Sequence, residues 1–113
     1  MNKNVVIYDW LSFTTKQHTP EQVIAALGLL ECPWSDITGA HGYMDRKYFG
    51  NISIHYNSRE DMGGCEMSGQ GCRNLEDLTT LSDKWQTLFA FIYSNSLHIT
   101  RLDVAFDDHT GIL

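Results

Sequence analysis

The sequence lacks the paired cysteines that would assign it to a disulfide-stabilised or zinc-binding class of protein. Its three cysteines, Cys32, Cys65 and Cys72, include no CxxC pair. An odd number of widely spaced cysteines gives neither a disulfide framework nor zinc-ligand spacing. The sequence therefore predicts a protein of a reducing compartment, the cytoplasm, in which Cys65 and Cys72 are buried thiols.

Long apolar runs and a surplus of basic residues are missing as well. No apolar run is long enough to span a bilayer and the N-terminus shows no signal peptide, so no membrane partner is expected. Lysine and arginine number 8 against 14 acidic residues, a formal net charge of −6. This balance argues against a simple electrostatic nucleic-acid binder, although it leaves open a metal-dependent nuclease site, which carboxylates would hold.

What is present suffices for one domain, because 113 residues of which 42% are hydrophobic can bury a core. The order of segments predicts an α+β fold of the ferredoxin-like split βαβ type, an antiparallel sheet with two helices on one face. One sheet face would then stay open. The predicted strands and helices, in chain order, are Val5–Thr14, Thr19–Cys32, Tyr43–Phe49, Ile52–Asn57, Cys65–Ser68, Ser82–Ser94 and 98–108.

Glycines mark the predicted turns. Gly50-Asn51 lies between two strand-like runs and predicts a two-residue hairpin turn. Ser58–Gly64 is interpreted as a polar loop. Gly69-Gln70-Gly71 is expected to interrupt the chain again, either as a tight turn or as a loop whose backbone approaches a phosphate beside Arg73.

The stretch from His98 to Asp108 alternates strictly between apolar and polar residues. Leu102, Val104 and Phe106 fall on one face of a strand and are predicted to meet the helices. The opposite, open face then carries three charged residues and an alanine: Arg101, Asp103, Asp107 and Ala105. Aspartate is depleted in strands, so its presence here suggests a metal or a phosphate.

The same alternation places His55 and Glu66 on the open face, with Tyr8 and Trp10 nearby. One imidazole and two or three carboxylates can coordinate Mg²⁺ or Mn²⁺, and exposed aromatic rings can stack unpaired bases. Two plainer interpretations compete with this one. A charged outer sheet face is often only solvated, and Arg101 with Asp103 can be an ordinary surface ion pair.

Three segments of the chain together resemble the replication initiation factor family of phages, rolling-circle plasmids and integrative elements. The first is the strand at residues 8–14, YDWLSFT, and the second is the glycine-rich segment at 66–76, EMSGQGCRNLE. The third is the acidic strand at 100–108, TRLDVAFDD. Their order and spacing also resemble the family pattern, and they extend over nearly the whole chain.

The resemblance implies an initiator or relaxase that nicks one DNA strand at an origin, single-stranded or in a hairpin. A tyrosine would form the 5′-phosphotyrosine link, with the help of Mg²⁺ or Mn²⁺. The site residues expected on this basis are Arg101 and Arg73 as catalytic residues, Asp103, Glu66, Asp107, His55 and Glu76 as metal ligands, and Tyr8, Trp10 and Gln70 as DNA contacts.

In the family, the nucleophilic tyrosine follows the acidic strand. We therefore expect it after Leu113, and interpret the chain as the N-terminal part of a longer initiator. Two alternatives remain open from the sequence. The chain could be a non-catalytic module that binds DNA or a protein through the open face, or a homodimerisation domain that pairs through a free sheet edge.

Overall fold

The computed structural model describes residues 4–38, 43–57, 62–81 and 83–108, and does not describe the side chains of residues 4, 5, 84 and 106–108. Six strands and three helices follow one another along this part of the chain. They are β1 (Asn4–Lys16), α1 (Pro20–Leu27), β2 (Ser35–Thr38), β3 (Asp45–Phe49), β4 (Ile52–Asn57), β5 (Met62–Met67), α2 (Gly69–Leu78), α3 (Lys84–Ser94) and β6 (His98–Asp108).

The strands form one antiparallel sheet in the order β2-β3-β4-β5-β1-β6. The predicted α+β class with an antiparallel sheet is thus confirmed, and the finer ferredoxin-like description stays a prediction. The sequence indicated five strands and two helices, and it missed β2 and α2. No helix in the described ranges combines the length and the apolar character needed to cross a bilayer.

A single core lies between the helices and one face of the sheet. Each helix contributes buried side chains to it, and so do the three central strands β4, β5 and β1. The fully buried members from the sheet are Leu11, Phe13, Ile52, Ile54, Cys65 and Met67, and those from the helices include Val23, Leu27, Cys72, Leu75 and Leu88. Burial raises the pKa of the Cys65 thiol and raises that of Cys72 to about 11, as expected for inert buried thiols.

Helix α1 begins as the sequence predicts and ends earlier. The side chains of Thr19 and Gln22 form a reciprocal capping box, and Pro20 occupies the first turn. The predicted end at Cys32 is wrong, because Gly28 adopts a left-handed φ of 72° and closes the helix after Leu27. A side chain at position 28 would also overlap Thr79, whose hydroxyl donates to the carbonyl of Leu27.

The hairpin between β3 and β4 is confirmed. Gly50 and Asn51 have φ values of 53° and 63°, which is the type I′ geometry that suits a two-residue hairpin turn. The Asn74 side chain of α2 donates a 2.8 Å hydrogen bond to the carbonyl of Gly50. Helix α2 is therefore fastened to the tip of this hairpin.

Two predicted loops are regular structure instead. Gly63 and Gly64 lie within β5 and pair with β1 and β4, so the predicted loop does not extend to them, and residues 58–61 lie outside the described part. Gly69-Gln70-Gly71 forms the first turn of α2, where the Ser68 hydroxyl accepts a hydrogen bond from the backbone N–H of Gly71. Ser68 at the N-cap is the sequence signal for the start of α2, although the two glycines that follow lower helix propensity.

Irregularities in the pairing of β1 with β6 decide which side chains share a face. The register shifts between Tyr8 and Trp10, where Asp9 is an extra residue, and between Ser12 and Phe13, where Thr100 is the extra residue of β6. An extra residue in a strand reverses the alternation of faces beyond it. Tyr8 therefore points towards the helices, whereas Trp10, only two residues later, points to the other face.

Candidate functional site

We call the sheet face opposite the helices the open face. Residues directly opposite each other on antiparallel strands project to the same side. Ser53 of β4 pairs with Glu66 of β5, Glu66 with Ser12 of β1, and Ser12 with Arg101 of β6. This row of polar side chains crosses four strands. The row next to it on the open face contains Arg46, His55, Gly64, Thr14 and His98.

At one end of the open face, Trp10, Arg101 and Asp103 form a cluster that we call the Trp10 platform. The Arg101 guanidinium lies over the Trp10 ring, with Cζ 3.9 Å from the ring centroid. Asp103 Oδ2 accepts hydrogen bonds from Arg101 Nε at 3.2 Å and from Nη2 at 2.8 Å, which raises the pKa of Arg101. Trp10 Nε1 donates to Ser12 Oγ at 2.8 Å. Arg101 on one ring face and Ser12 at the Nε1 edge thus fix the orientation of the indole.

Beside this platform lies a depression of about 140 Å³ that we call the Gly64 pocket. Gly64, which has no side chain, forms the floor of this pocket. The residues that line it are Ser12, Phe13, Thr14, Tyr43, His55, Gly64, Cys65, Glu66 and Thr100. Because Phe13 and Cys65 point into the core on the other face, the chemistry of the pocket comes from hydroxyl, aromatic and carboxylate groups.

The wall formed by Tyr43 and His55 is aromatic. Their rings stack with centroids 5.3 Å apart and planes 23° apart. The Tyr43 hydroxyl donates a 3.2 Å hydrogen bond to the carbonyl of Gly63, which ties the segment before β3 to β5. Although His55 belongs to the open face, it is only 5% exposed. The open face is therefore covered at this point and accessible nearer to β6.

The structure brings five of the predicted site residues into one neighbourhood. Glu66 and His55 line the Gly64 pocket, and Trp10, Arg101 and Asp103 form the platform next to it. The two groups are joined by Ser12, which lines the pocket and bonds to the indole. The faces predicted for Trp10, Glu66, Arg101 and Asp103 are confirmed by the pairing register.

The expectation that Tyr8 shares the open face is wrong. Its ring packs against Trp85 and Phe89 of α3, with centroids 4.6 Å and 5.4 Å away. The bulge at Asp9 is the physical reason. Gln70 is exposed on α2, where its Nε2 donates to Asn74 at 3.3 Å. The side chain of Asp107 lies outside the described part.

Arg73 and Glu76 lie in the helix layer, away from the open face. Arg73 Nη2 donates a 2.7 Å hydrogen bond to the carbonyl of Tyr8, and Nη1 lies 3.7 Å from Asp9 Oδ1. Glu76 Oε1 forms an ion pair with Arg73, 2.9 Å from Nε, and Glu76 Oε2 accepts a 2.9 Å hydrogen bond from Trp85 Nε1. We call this cluster the Arg73 clamp. It consists of the bulge residue Asp9 and the side chains of Arg73, Glu76 and Trp85. A phosphate contact by Arg73 stays a prediction, and here its guanidinium fastens α2 to the bulge.

The predicted metal ligands do not form a complete metal site within the described residues. Glu66 and His55 share a pocket, Asp103 is engaged by Arg101, and Glu76 is engaged by the Arg73 clamp. Across the described ranges, no group of three or more histidine, cysteine, aspartate or glutamate side chains is placed to hold an ion. Mg²⁺ and Mn²⁺ take about six ligands, mostly oxygens, so Glu66 and His55 would supply only two of them.

Sequence reasoning missed the pocket itself. Tyr43, Thr14 and Thr100 carry no motif, and Gly64 was interpreted as part of a loop. A glycine inside a strand often marks a place where a ligand or another backbone comes close, and this was the available signal. A larger cavity of about 360 Å³ lies between α1 and the edge strands, and its Lys47 is already paired with Asp36 at 2.8 Å. None of the predicted site residues lines it.

Comparison with known proteins identifies the family of this chain. A curated protein of Bacillus subtilis (strain 168), named "Putative DNA relaxase NicK", is 28% identical over 109 residues. The alignment includes 92% of this chain and 31% of that protein, so the chain spans about a third of the relative's length. No solved structure matches. The family model of the rolling circle replication initiation protein N-terminal domain matches residues 5–94, most of the chain. This protein therefore belongs to the rolling-circle replication initiation protein N-terminal domain family.

Proposed function

We propose that this chain provides a single-stranded-DNA-binding face to an initiator that nicks one DNA strand at an origin. Membership of a rolling-circle replication initiation family supports a role at a replication origin, and a relative named as a DNA relaxase supports DNA nicking as the reaction. The observation that carries the proposal is the Trp10 platform, an aromatic ring and a guanidinium stacked at 3.9 Å on an open sheet face. The proposed place of action is the cytoplasm of a bacterial host.

The platform suits unpaired DNA for two reasons. Arg101 covers one face of the Trp10 ring, so a base would stack on the guanidinium or on the other face of the indole, and such stacking contributes about 1–3 kcal/mol per base. Asp103 accepts hydrogen bonds from Nε and Nη2 of Arg101, so Nη1 of the same guanidinium can donate to a phosphate. Because Asp103 holds the guanidinium through two hydrogen bonds, Arg101 is oriented before DNA arrives.

The nicking chemistry is proposed for the complete protein. A tyrosine outside these 113 residues would attack the phosphorus of one phosphodiester. Its phenolic oxygen gives up its proton and forms the new P–O bond to the 5′-phosphate, while the bond from phosphorus to the 3′-oxygen breaks and that oxygen takes up a proton. The tyrosines of this chain match no nucleophile motif. On this proposal these 113 residues bind the DNA strand, and another part of the protein cuts it.

Metal dependence is part of the proposal and involves more than this chain. Mg²⁺ or Mn²⁺ would stabilise charge at the reacting phosphate. Glu66 and His55 are the donors that the described residues place together, and they would need further ligands from elsewhere in the protein. We expect Mn²⁺ to broaden the NMR signals of both residues in a longer protein that carries those ligands. Broadening confined to other acidic residues would contradict this assignment.

Removal of the platform ring should weaken the binding of single-stranded DNA. We expect Trp10→Ala to lower affinity for a labelled oligonucleotide by about 10-fold or more, the loss of one base stack. Fluorescence anisotropy measures this directly. Tyr93→Ala is the matched control, because Tyr93 is an aromatic residue of α3 that is 87% exposed in the helix layer.

The control variant should bind as the wild type does. Equal losses in both variants, or none in Trp10→Ala, would contradict the proposed interface. Binding that persists in a full-length protein without any nicking would favour the non-catalytic binding module instead.

A further inference from the structure

The Gly64 pocket has a shape and a chemistry that the proposed DNA-binding face does not by itself explain. A stacking platform binds every base alike, since each base has an aromatic face. The pocket beside it instead presents a fixed set of polar groups. Its volume of about 140 Å³ is below the roughly 300–1,000 Å³ of sites for drug-sized molecules, and it exceeds the roughly 30 Å³ that a water occupies. It can hold one small planar ring.

Four sides of the pocket have different characters. Gly64 forms a flat floor, and a Cβ there would come within 3.0 Å of the Phe13 carbonyl and 3.7 Å of the Tyr43 hydroxyl. The Tyr43–His55 stack forms an aromatic wall. Hydroxyl groups line the side towards β6, and Glu66 closes the end nearest to the platform. Aromatic and hydroxyl walls around a carboxylate suit a polar heterocycle better than an aliphatic group.

The position of Glu66 determines which heterocycle fits. A carboxylate only accepts hydrogen bonds, so a base that enters must offer an N–H group to it. Cytosine carries the N4 amino group, a donor that glutamate recognises in DNA-binding proteins. Thymine presents the O4 carbonyl at the same place, where two acceptors repel, and its one base N–H, at N3, would meet Glu66 only with the O2 and O4 carbonyls on either side of it.

The surroundings indicate where the DNA backbone would lie. Thr100 lines the pocket and is followed directly by Arg101 of the platform. Ser12 belongs to the pocket and also accepts the indole N–H of Trp10 at 2.8 Å. A strand whose one base is in the pocket can therefore stack a neighbouring base on Trp10, with its phosphate towards Arg101 and away from Glu66.

We infer that the Gly64 pocket receives a single unpaired cytosine of the bound strand, and that Glu66 selects it over thymine by accepting a hydrogen bond from its N4 amino group. This inference rests on the proposed DNA-binding function and adds a base preference to it in the metal-free protein, because a metal ion held by Glu66 would take the place of the base. Trp10 and Arg101 hold the strand, and the pocket reads one position.

Homopolymer binding tests the inference. Labelled dC and dT oligonucleotides of about 12 nucleotides, a length within known single-strand site sizes, are titrated with the protein in EDTA, so that no metal competes for Glu66. We expect the wild type to bind dC about tenfold more tightly than dT, a factor typical of one good base contact. Glu66→Gln should bring the two affinities within about twofold, because an amide can face either base.

Asp77→Asn is the matched control, since it removes the same charge from an exposed position on α2. It should keep the dC preference, and circular dichroism should show that both variants stay folded. Equal binding of dC and dT by the wild type overturns the pocket inference and leaves the DNA-binding face intact. A preference that survives Glu66→Gln overturns the role of Glu66. Absence of binding to either oligonucleotide overturns the proposed function together with the inference.

Discussion

Replacing Gly71 with alanine is expected to destabilise the protein by about 2 kcal/mol, within the range for overpacked buried positions. Helix propensity alone would give the opposite sign, since alanine exceeds glycine by about 1 kcal/mol in a helix interior. The difference arises from packing. A Cβ at position 71 would overlap the carbonyl oxygen of Asn51 and come within 3.4 Å of Ile52 Cγ1.

The hairpin tip has little freedom to move away from that Cβ. Asn51 holds a positive φ in the type I′ turn, and Asn74 fixes Gly50 at 2.8 Å. Urea unfolding followed by circular dichroism measures the effect. Gly69→Ala is the control, because its Cβ would lie 3.2 Å from the Asp9 carbonyl, a tight distance that needs only a small adjustment. A Gly71→Ala protein as stable as the wild type would contradict the packing explanation.

The second large effect is expected at the Arg73 clamp. Arg73→Met should cost about 2–3 kcal/mol, because the carbonyl of Tyr8 loses a charged donor and Glu76 loses its ion pair in a half-buried site. The methionine keeps most of the length of the side chain and its contact with α2. Unfolding in urea again gives the free energy.

A double-mutant cycle separates the clamp from a general loss of packing. Glu76→Gln removes the charge of the partner and keeps its shape, so Arg73→Met in that background should cost at least 0.5 kcal/mol less, as coupling within one network predicts. The indole N–H signal of Trp10 in a ¹H–¹⁵N NMR spectrum should also shift in Arg73→Met, since the clamp fixes the bulge that turns this residue outward. Additive costs together with an unchanged Trp10 signal would show that Arg73 does not hold the bulge.

Local sequence signals correctly predicted those elements whose ends are set by a capping box or by a turn sequence. The Thr19–Gln22 capping box begins α1, and Gly50-Asn51 turns the β3–β4 hairpin. The alternation in 98–108 predicts β6 with the right bounds, and the register with β1 confirms the faces predicted for the four residues Arg101 to Val104. Leu102 and Val104 nonetheless remain 41% and 42% exposed, because β6 lies at the end of the described sheet.

The elements that sequence reasoning missed depend on contacts between distant segments. Two glycines at the start of α2 lower helix propensity, and the close approach of Gly71 to the β3–β4 hairpin and of Gly69 to the carbonyl of Asp9 explains them. The bulge at Asp9 leaves no mark in the alternation of β1, since Ile7, Tyr8 and Trp10 are all apolar or aromatic. The wrong face for Tyr8 and the unnoticed Gly64 pocket both follow from tertiary pairing.

The pairing of β6 with β1 limits where the chain can be truncated without exposing a sheet edge. The family match ends at residue 94, whereas β6 begins at His98 and pairs with β1 from Thr14 back to Asn4. A chain cut where the match ends would leave one long edge of β1, a strand of 13 residues, without a neighbour. Such an edge is a template for aggregation between molecules. The segment that the family model delimits is therefore shorter than the segment that must be expressed together to stay in solution.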